Sequence, residues 1–282
     1  MKTNGRDTKK TAKKKKKKGG KWRASDLVIL VIAGLVLVVS LWKLAGIFLE
    51  YKAGTDAYEN LEKLYVEKVE TKGQEQETET ELSKETGMFP EVSIDFASLK
   101  EINEELIGWI FIPVLDIDYP VVQGTDNDYY LTHTFDKKTN SSGAIFVDYG
   151  ANHDLTDYNT LIYGHNMKNG SMFGSLKKFI RDEELCGTDP YFYIYTEEKR
   201  YQYLIISYYV TMDGSNTYLL PASEEEYESY KNWILRSSPY DCPEDIPESG
   251  NIVTLSTCYG KSGSDQRFVV HGILVDVQEQ TE

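Results

Sequence analysis

Apolar residues fall into three regimes along this chain. The first is one uncharged block, Leu27 to Trp42, followed by Lys43 and then by LAGIFL to Leu49. A helix needs about 20 apolar residues to cross a bilayer core. The uncharged block has only 16, so the span reaches full length if Lys43 snorkels its ammonium to the interface and the helix runs to Leu49. Trp22 and Trp42 flank the block, where amphipathic rings favour the headgroups. A cleaved signal peptide has a shorter apolar region of about 7–15 residues and a small-x-small site. No A-x-A follows here, and the pattern predicts a transmembrane signal-anchor over 27–49.

The second regime is polar. Thr55 to Glu70 carries Tyr58, Leu61, Leu64 and Tyr65 at helical spacing, with Thr55 or Asp56 as a cap. Glu67 to Thr86 holds seven Glu and three Lys against two apolar residues, Val69 and Leu82. That composition predicts a solvated stalk. Residues 50–89 are therefore expected to be an extracellular helix and acidic linker.

The third regime, from about Pro90, is globular. Leu99, Ile102 and Leu106 share a helical face, and Ser98 with Glu101 fits a capping box. Short β-type runs follow at Trp109–Ile112, Tyr119–Val122, Ala144–Val147, Thr160–Tyr163, Tyr191–Tyr195, Gln202–Thr211, Asn251–Ser256 and Phe268–Val277, separated by Gly- and Asn-rich turns. One helix interrupts them: Ser223 and Glu226 form a second capping box, and Tyr227, Tyr230, Trp233 and Ile234 give an apolar face. Eight short strands predict a mainly β barrel or sandwich over 90–282, with a helix inserted before the seventh run.

Charge sharpens this division. The chain has 282 residues and a net charge of −14, yet residues 1–26 alone carry +10, leaving −24 for the rest. Basic residues ahead of an apolar span set orientation, with residues 1–26 as a cytoplasmic tail and the remainder outside. The Lys run also suits anionic lipid, but an acidic body argues against a nucleic-acid-binding domain. Three cysteines cannot complete a disulfide framework, and their spacing does not suit a metal.

Three residues stand out chemically. Cys258 ends the run NIVTLSTC before a glycine-containing loop, His165 ends TLIYGHNM, and Arg267 opens RFVVHGIL. Each alone has an ordinary explanation as a core thiol, a surface imidazole or a solvated flank. Together they supply a nucleophile, a proton carrier and an oxyanion partner at strand–loop junctions. A hairpin would join Cys258 to Arg267; His165 must arrive through tertiary folding.

TLSTC at 254–258, RFVVHG from Arg267 and LIYGHNM at 161–167 resemble the sortase family. WIFIPVLDIDYPVVQGTDNDYYL from Trp109, GAIFVD at 143–148 and the helix before the Cys strand resemble its class B branch. The resemblance covers roughly residues 95–277. It implies an eight-stranded sortase barrel and a transpeptidase that anchors secreted proteins to the Gram-positive cell wall. Cys258 would attack the carbonyl after the Thr of a C-terminal sorting motif, His165 would shuttle the proton, and Arg267 would hold the oxyanion or substrate backbone. The resemblance implies as partners a secreted protein with a sorting signal, an amino group of a peptidoglycan precursor, and membrane lipid, with no metal or organic cofactor. By motif position, Ser256, Tyr163, Asn127 and Leu131 would line the substrate groove, with Thr257 beside them.

One departure concerns the acid that some class B members carry just after the Cys. Tyr259 and Gly260 stand there, and Asp265 is the nearest acid, so no Cys-His-Asp triad is expected. Competing readings are a pilin-polymerising enzyme and a silent tethered binding module. A papain-like peptidase is disfavoured because its Cys precedes its His.

Overall fold

A computed structural model describes residues 23–68, 89–182, 184–239, 245–261 and 263–280. The chain divides into two compact units, residues 1–48 and 49–282. In the first, the helix α1 (Ala24–Tyr65) carries a stretch from Leu27 to Phe48 that is exposed throughout. By length and hydropathy this helix is able to cross a membrane. Two expected segments are one element here. The expected anchor and the start of the helix expected over Thr55–Glu70 share one α1, because the chain between them has no proline and only the isolated Gly54, which a helix tolerates; α1 ends at Tyr65, and Val66–Lys68 is a strand instead.

The second unit begins at Leu49. The last turns of α1 are part of it, and Gly54 and Tyr58 are buried there. Beyond them β1 (Val66–Lys68) pairs antiparallel with β2 (Val92–Ile94). The stalk expected over Glu67–Thr86 lies mostly outside the described residues. The helix α2 (Phe96–Ile102) is capped by Asp95, whose carboxylate accepts from the Ser98 backbone N–H. The cap therefore precedes the expected Ser98, and Leu106 opens a strand instead of closing the helix.

Eight strands close the barrel: β3 (Leu106–Ile112), β4 (Ile117–Val122), β5 (Ile145–Val147), β6 (Asn159–Tyr163), β7 (Tyr191–Tyr195), β8 (Lys199–Met212), β9 (Ile252–Cys258) and β10 (Gln266–Glu279). Their order around the barrel is β10-β8-β7-β3-β4-β5-β6-β9. All barrel pairings are antiparallel except β4–β5 and β6–β9. The eight runs read from the sequence are these eight strands.

Side chains alternate across a strand, and β9 shows how the alternation is used. Val253 and Leu255 join the main core with Phe268 and Val270 of β10. Ile252 faces the other way, with Ile273, into a second cluster. The helix α3 (Lys178–Arg181) and the helix α4 (Glu184–Thr188) precede β7. The helix α5 (Glu224–Ser237) covers the second cluster with Tyr227, Tyr230 and Ile234. Ser223 accepts from the Glu226 N–H, as its capping box requires, and the Glu226 carboxylate accepts from the Ala222 N–H. Removing a side chain such as Ile234 from water contributes about 1.5–3 kcal/mol. Cys258, Ser256 and Thr254 share the Ile252 face, so the strand delivers its cysteine to the outside of the barrel just beyond the part that α5 covers.

Candidate active site

Cys258 is the exposed last residue of β9. Its antiparallel partner on β10 is Arg267, so the expected hairpin juxtaposition is present. On the other side β9 runs parallel to β6, with Tyr163 opposite Ser256. Both strands end in the same direction, which brings His165 toward Cys258 despite their separation in sequence. Cys258, His165 and Arg267 line one groove of ≈ 550 Å³.

The loop leaving β6 is held at successive residues. The Gly164 N–H donates to the Ser256 carbonyl at 3.1 Å, and the His165 carbonyl accepts from the Phe173 N–H at 3.0 Å. A Cβ at Gly164 would lie 2.4 Å from Ile145 Cδ1 and 2.8 Å from the Phe173 ring. Only glycine lets the chain pass there. Asn166 donates from Nδ2 to the Cys258 carbonyl at 2.7 Å.

His165 is 2.7 Å from the Leu131 carbonyl through Nε2. A carbonyl only accepts, so Nε2 carries a proton and Nδ1 is the nitrogen left to exchange one. A main-chain carbonyl thus orients the imidazole in the place a carboxylate would take in a triad. Arg267 donates from Nη2 to Asp213 Oδ2 at 2.8 Å and from Nη1 to the carbonyls of Ser264 and Gln266, both at 3.1 Å. Asp265, the nearest acid in sequence, meets the Asp213 N–H with its carbonyl.

All five expected substrate residues border the groove: Asn127, Leu131, Tyr163, Ser256 and Thr257. Asn127 Nδ2 and the Tyr163 hydroxyl both donate to Asp148 Oδ2, at 2.8 and 3.0 Å. Burial and the Asp148 carboxylate push the Tyr163 ionisation far above the tyrosine range, so its hydroxyl stays a donor. Ser256 shares a 2.9 Å hydrogen bond with Tyr218. Leu131 contributes through its carbonyl as well as its half-exposed side chain. Thr257 is almost fully buried and has the parity of Leu255, so its side chain faces the barrel interior.

Sequence reasoning missed Asp148, Asp213 and Tyr218. Asp148 is visible as the acid ending GAIFVD; Asp213-Gly214 reads only as a turn, and Tyr218 carries no local signal. The remaining histidines are elsewhere. His271 is fully buried between Thr254 and Tyr209, at 2.9 and 3.1 Å, and burial pushes its pKa down to about 3. His133 stacks on Tyr129 at 4.1 Å. Cys186 is buried, and Cys242 lies outside the described residues. Among the described residues no group of three or more His, Cys, Asp or Glu side chains is arranged to hold a metal ion.

An exposed strand-end thiol, an imidazole delivered by the adjacent parallel strand and a guanidinium on the antiparallel neighbour thus meet in one groove on a closed barrel. The chain belongs to the sortase family, whose domain matches residues 110–275. Sortase B of Listeria monocytogenes is 34% identical over 194 residues, covering 67% of this chain and 78% of that one. The crystal structure of sortase B from Bacillus anthracis in complex with AAEK1 superposes with a TM-score of 0.64 at 33% identity, covering 81% of this chain and 99% of that one. A crystal structure of sortase B complexed with triglycine has a TM-score of 0.59 at 26% identity, with coverages of 66% and 86%. The family relationship therefore falls in the class B branch.

Proposed function

We propose that this chain is a membrane-anchored cysteine transpeptidase that fixes secreted proteins to the cell wall. The observation that carries this reading is the shared groove of Cys258, His165 and Arg267. In the first half-reaction Cys258 Sγ attacks the carbonyl carbon after the Thr of a C-terminal sorting motif. The thiol proton passes to His165 Nδ1 and from there to the departing amine as the C–N bond breaks, leaving a thioester. In the second, an amino group of a peptidoglycan precursor attacks the thioester. Its proton returns through His165, the new amide C–N bond forms, and the Cys258 thiol leaves.

The thioester divides one amide exchange into two easier steps. A guanidinium is a permanent cation in a protein, and that of Arg267 faces the charge that develops on the carbonyl oxygen. The triglycine complex of a class B relative supports a primary amine as the acceptor. The apolar start of α1 supports membrane attachment, and the basic residues ahead of it support a cytoplasmic N-terminus with the barrel outside. Asn127, Tyr163, Leu131 and Ser256 would hold the motif along the groove.

The test uses the full chain in detergent micelles with quenched peptides carrying N-P-x-T-x or S-P-x-T-G motifs, with and without triglycine. Cleavage after Thr, a matching acyl-enzyme mass and a ligated product, all lost in Cys258→Ala, are the expected results. Turnover that survives Cys258→Ala, or binding without turnover, would overturn the proposal.

A further inference from the structure

The turn beside His165 is held by α1, which lies far from it in sequence. Gly143 sits directly beneath His165. Its φ is +58°, and a Cβ there would lie 2.5 Å from the Tyr130 carbonyl oxygen, 3.0 Å from His165 Cδ2 and 3.1 Å from the Leu131 carbonyl oxygen. That last oxygen is the one that accepts from His165 Nε2. The imidazole therefore lies against the Gly143 backbone, and the position of the 140–143 turn sets the position of the ring.

The turn is gripped by α1. Tyr58 donates from its hydroxyl to the Gly143 carbonyl at 2.6 Å and accepts from the Phe135 N–H at 3.2 Å. Four residues earlier, Gly54 meets Ser142 so closely that a Cβ would fall 2.3 Å from Ser142 Oγ and 2.9 Å from Asn140 Oδ1. Four earlier still, the Glu50 carbonyl accepts from Asn140 Nδ2 at 3.1 Å, and the Glu50 carboxylate accepts from the Ser141 N–H at 3.0 Å. Residues four apart stand above one another on a helix, so one face of α1 contacts every residue of the turn. Tyr58 is locked in turn by edge-to-face packing on Tyr119, with ring centroids 5.3 Å apart.

We propose that the α1 face formed by Glu50, Gly54 and Tyr58 is a positioning element for His165, acting through the Asn140–Gly143 turn. This rests on the catalytic role proposed for His165. Tyr58 touches neither substrate nor the reacting atoms; it acts through the Gly143 carbonyl. Burial raises the Tyr58 ionisation far above its usual range, which keeps the hydroxyl available as the donor this contact needs. Without that bond the Gly143 carbonyl must find another partner or shift, and the imidazole shifts with it.

The test is Tyr58→Phe in the full chain, which preserves the ring packing and removes only the hydroxyl. Steady-state turnover of a sorting-motif peptide and the ring resonances of 15N-labelled His165 are read together. The expected result is a fall in kcat of about tenfold at unchanged KM, with displaced His165 ring signals, as the Gly143 carbonyl and the Phe135 N–H lose their hydroxyl partner. Unchanged ring signals would overturn the proposal whatever happens to kcat, as would a change confined to KM. Gly54→Ala presses on the same turn from a second point and carries the same readings if Tyr58→Phe does not fold. Should the wild-type chain show no Cys258-dependent turnover, the functional reading fails, while the ring signals still decide whether α1 positions His165.

Discussion

Asn166 Nδ2 donates to the Cys258 carbonyl at 2.7 Å, so the residue after the histidine is fastened to the residue that bears the thiol. The contact continues the β6–β9 pairing beyond the last paired residues, Tyr163 and Ser256. Asn166→Ala removes this fastening without touching the barrel core. Loss of an exposed hydrogen bond of this kind costs about 0.5–1.5 kcal/mol. A fall in kcat of about two- to twelvefold is expected, with a melting temperature close to wild type. Peptide-cleavage kinetics and a thermal melt check both parts.

Arg267 offers a second prediction. Its planar fork reaches one carboxylate and two carbonyls at once. A lysine supplies a point charge and cannot reproduce that arrangement. Arg267→Lys should lower kcat by about a hundredfold or more, the scale of losing one oxyanion donor. Asp213→Asn keeps an acceptor for Nη2 and should cost far less. Equal losses in the two variants, measured by the same assay, would contradict this account of the guanidinium.

Buried His271 gives a prediction about pH and folding. Its folded-state pKa is pushed to about 3 from an ordinary 6.5 by burial. Between those values the unfolded chain binds a proton that the folded chain does not, so its contribution to stability grows as pH rises from about 3 to 6.5. Above that window the contribution is constant. His271→Gln should flatten this part of the stability curve, measured as melting temperature against pH. An unchanged slope would assign the dependence to other groups.

Much of the barrel is legible in the sequence because each strand carries local signals. Gln202–Thr211 and Phe268–Val277 are apolar runs bounded by turns, and the Ser223 cap announces α5. What the residues do not reveal is closure. β6 and β9 pair in parallel across a long connection that includes β7, β8 and α5, and no local pattern encodes a partner so distant in the chain. The same gap hides the docking of Tyr58, whose helical spacing shows a face but not what covers it. The cap of α2 falls earlier than expected because Asp95 and Ser98 both have capping chemistry, and the backbone takes the first. Cys258, His165 and Arg267 are recognisable as chemistry at strand ends. Asp213 and the Leu131 carbonyl, which aim two of them, are not, since a turn acid and a peptide oxygen carry no distinguishing mark in sequence.

The parallel pairing of β6 and β9 has one more consequence. Thiol and imidazole leave the barrel from neighbouring strands, so the ladder of peptide hydrogen bonds between those strands fixes where both chain segments emerge. Separating β6 from β9 on heating should therefore part the two side chains and open the barrel in the same event.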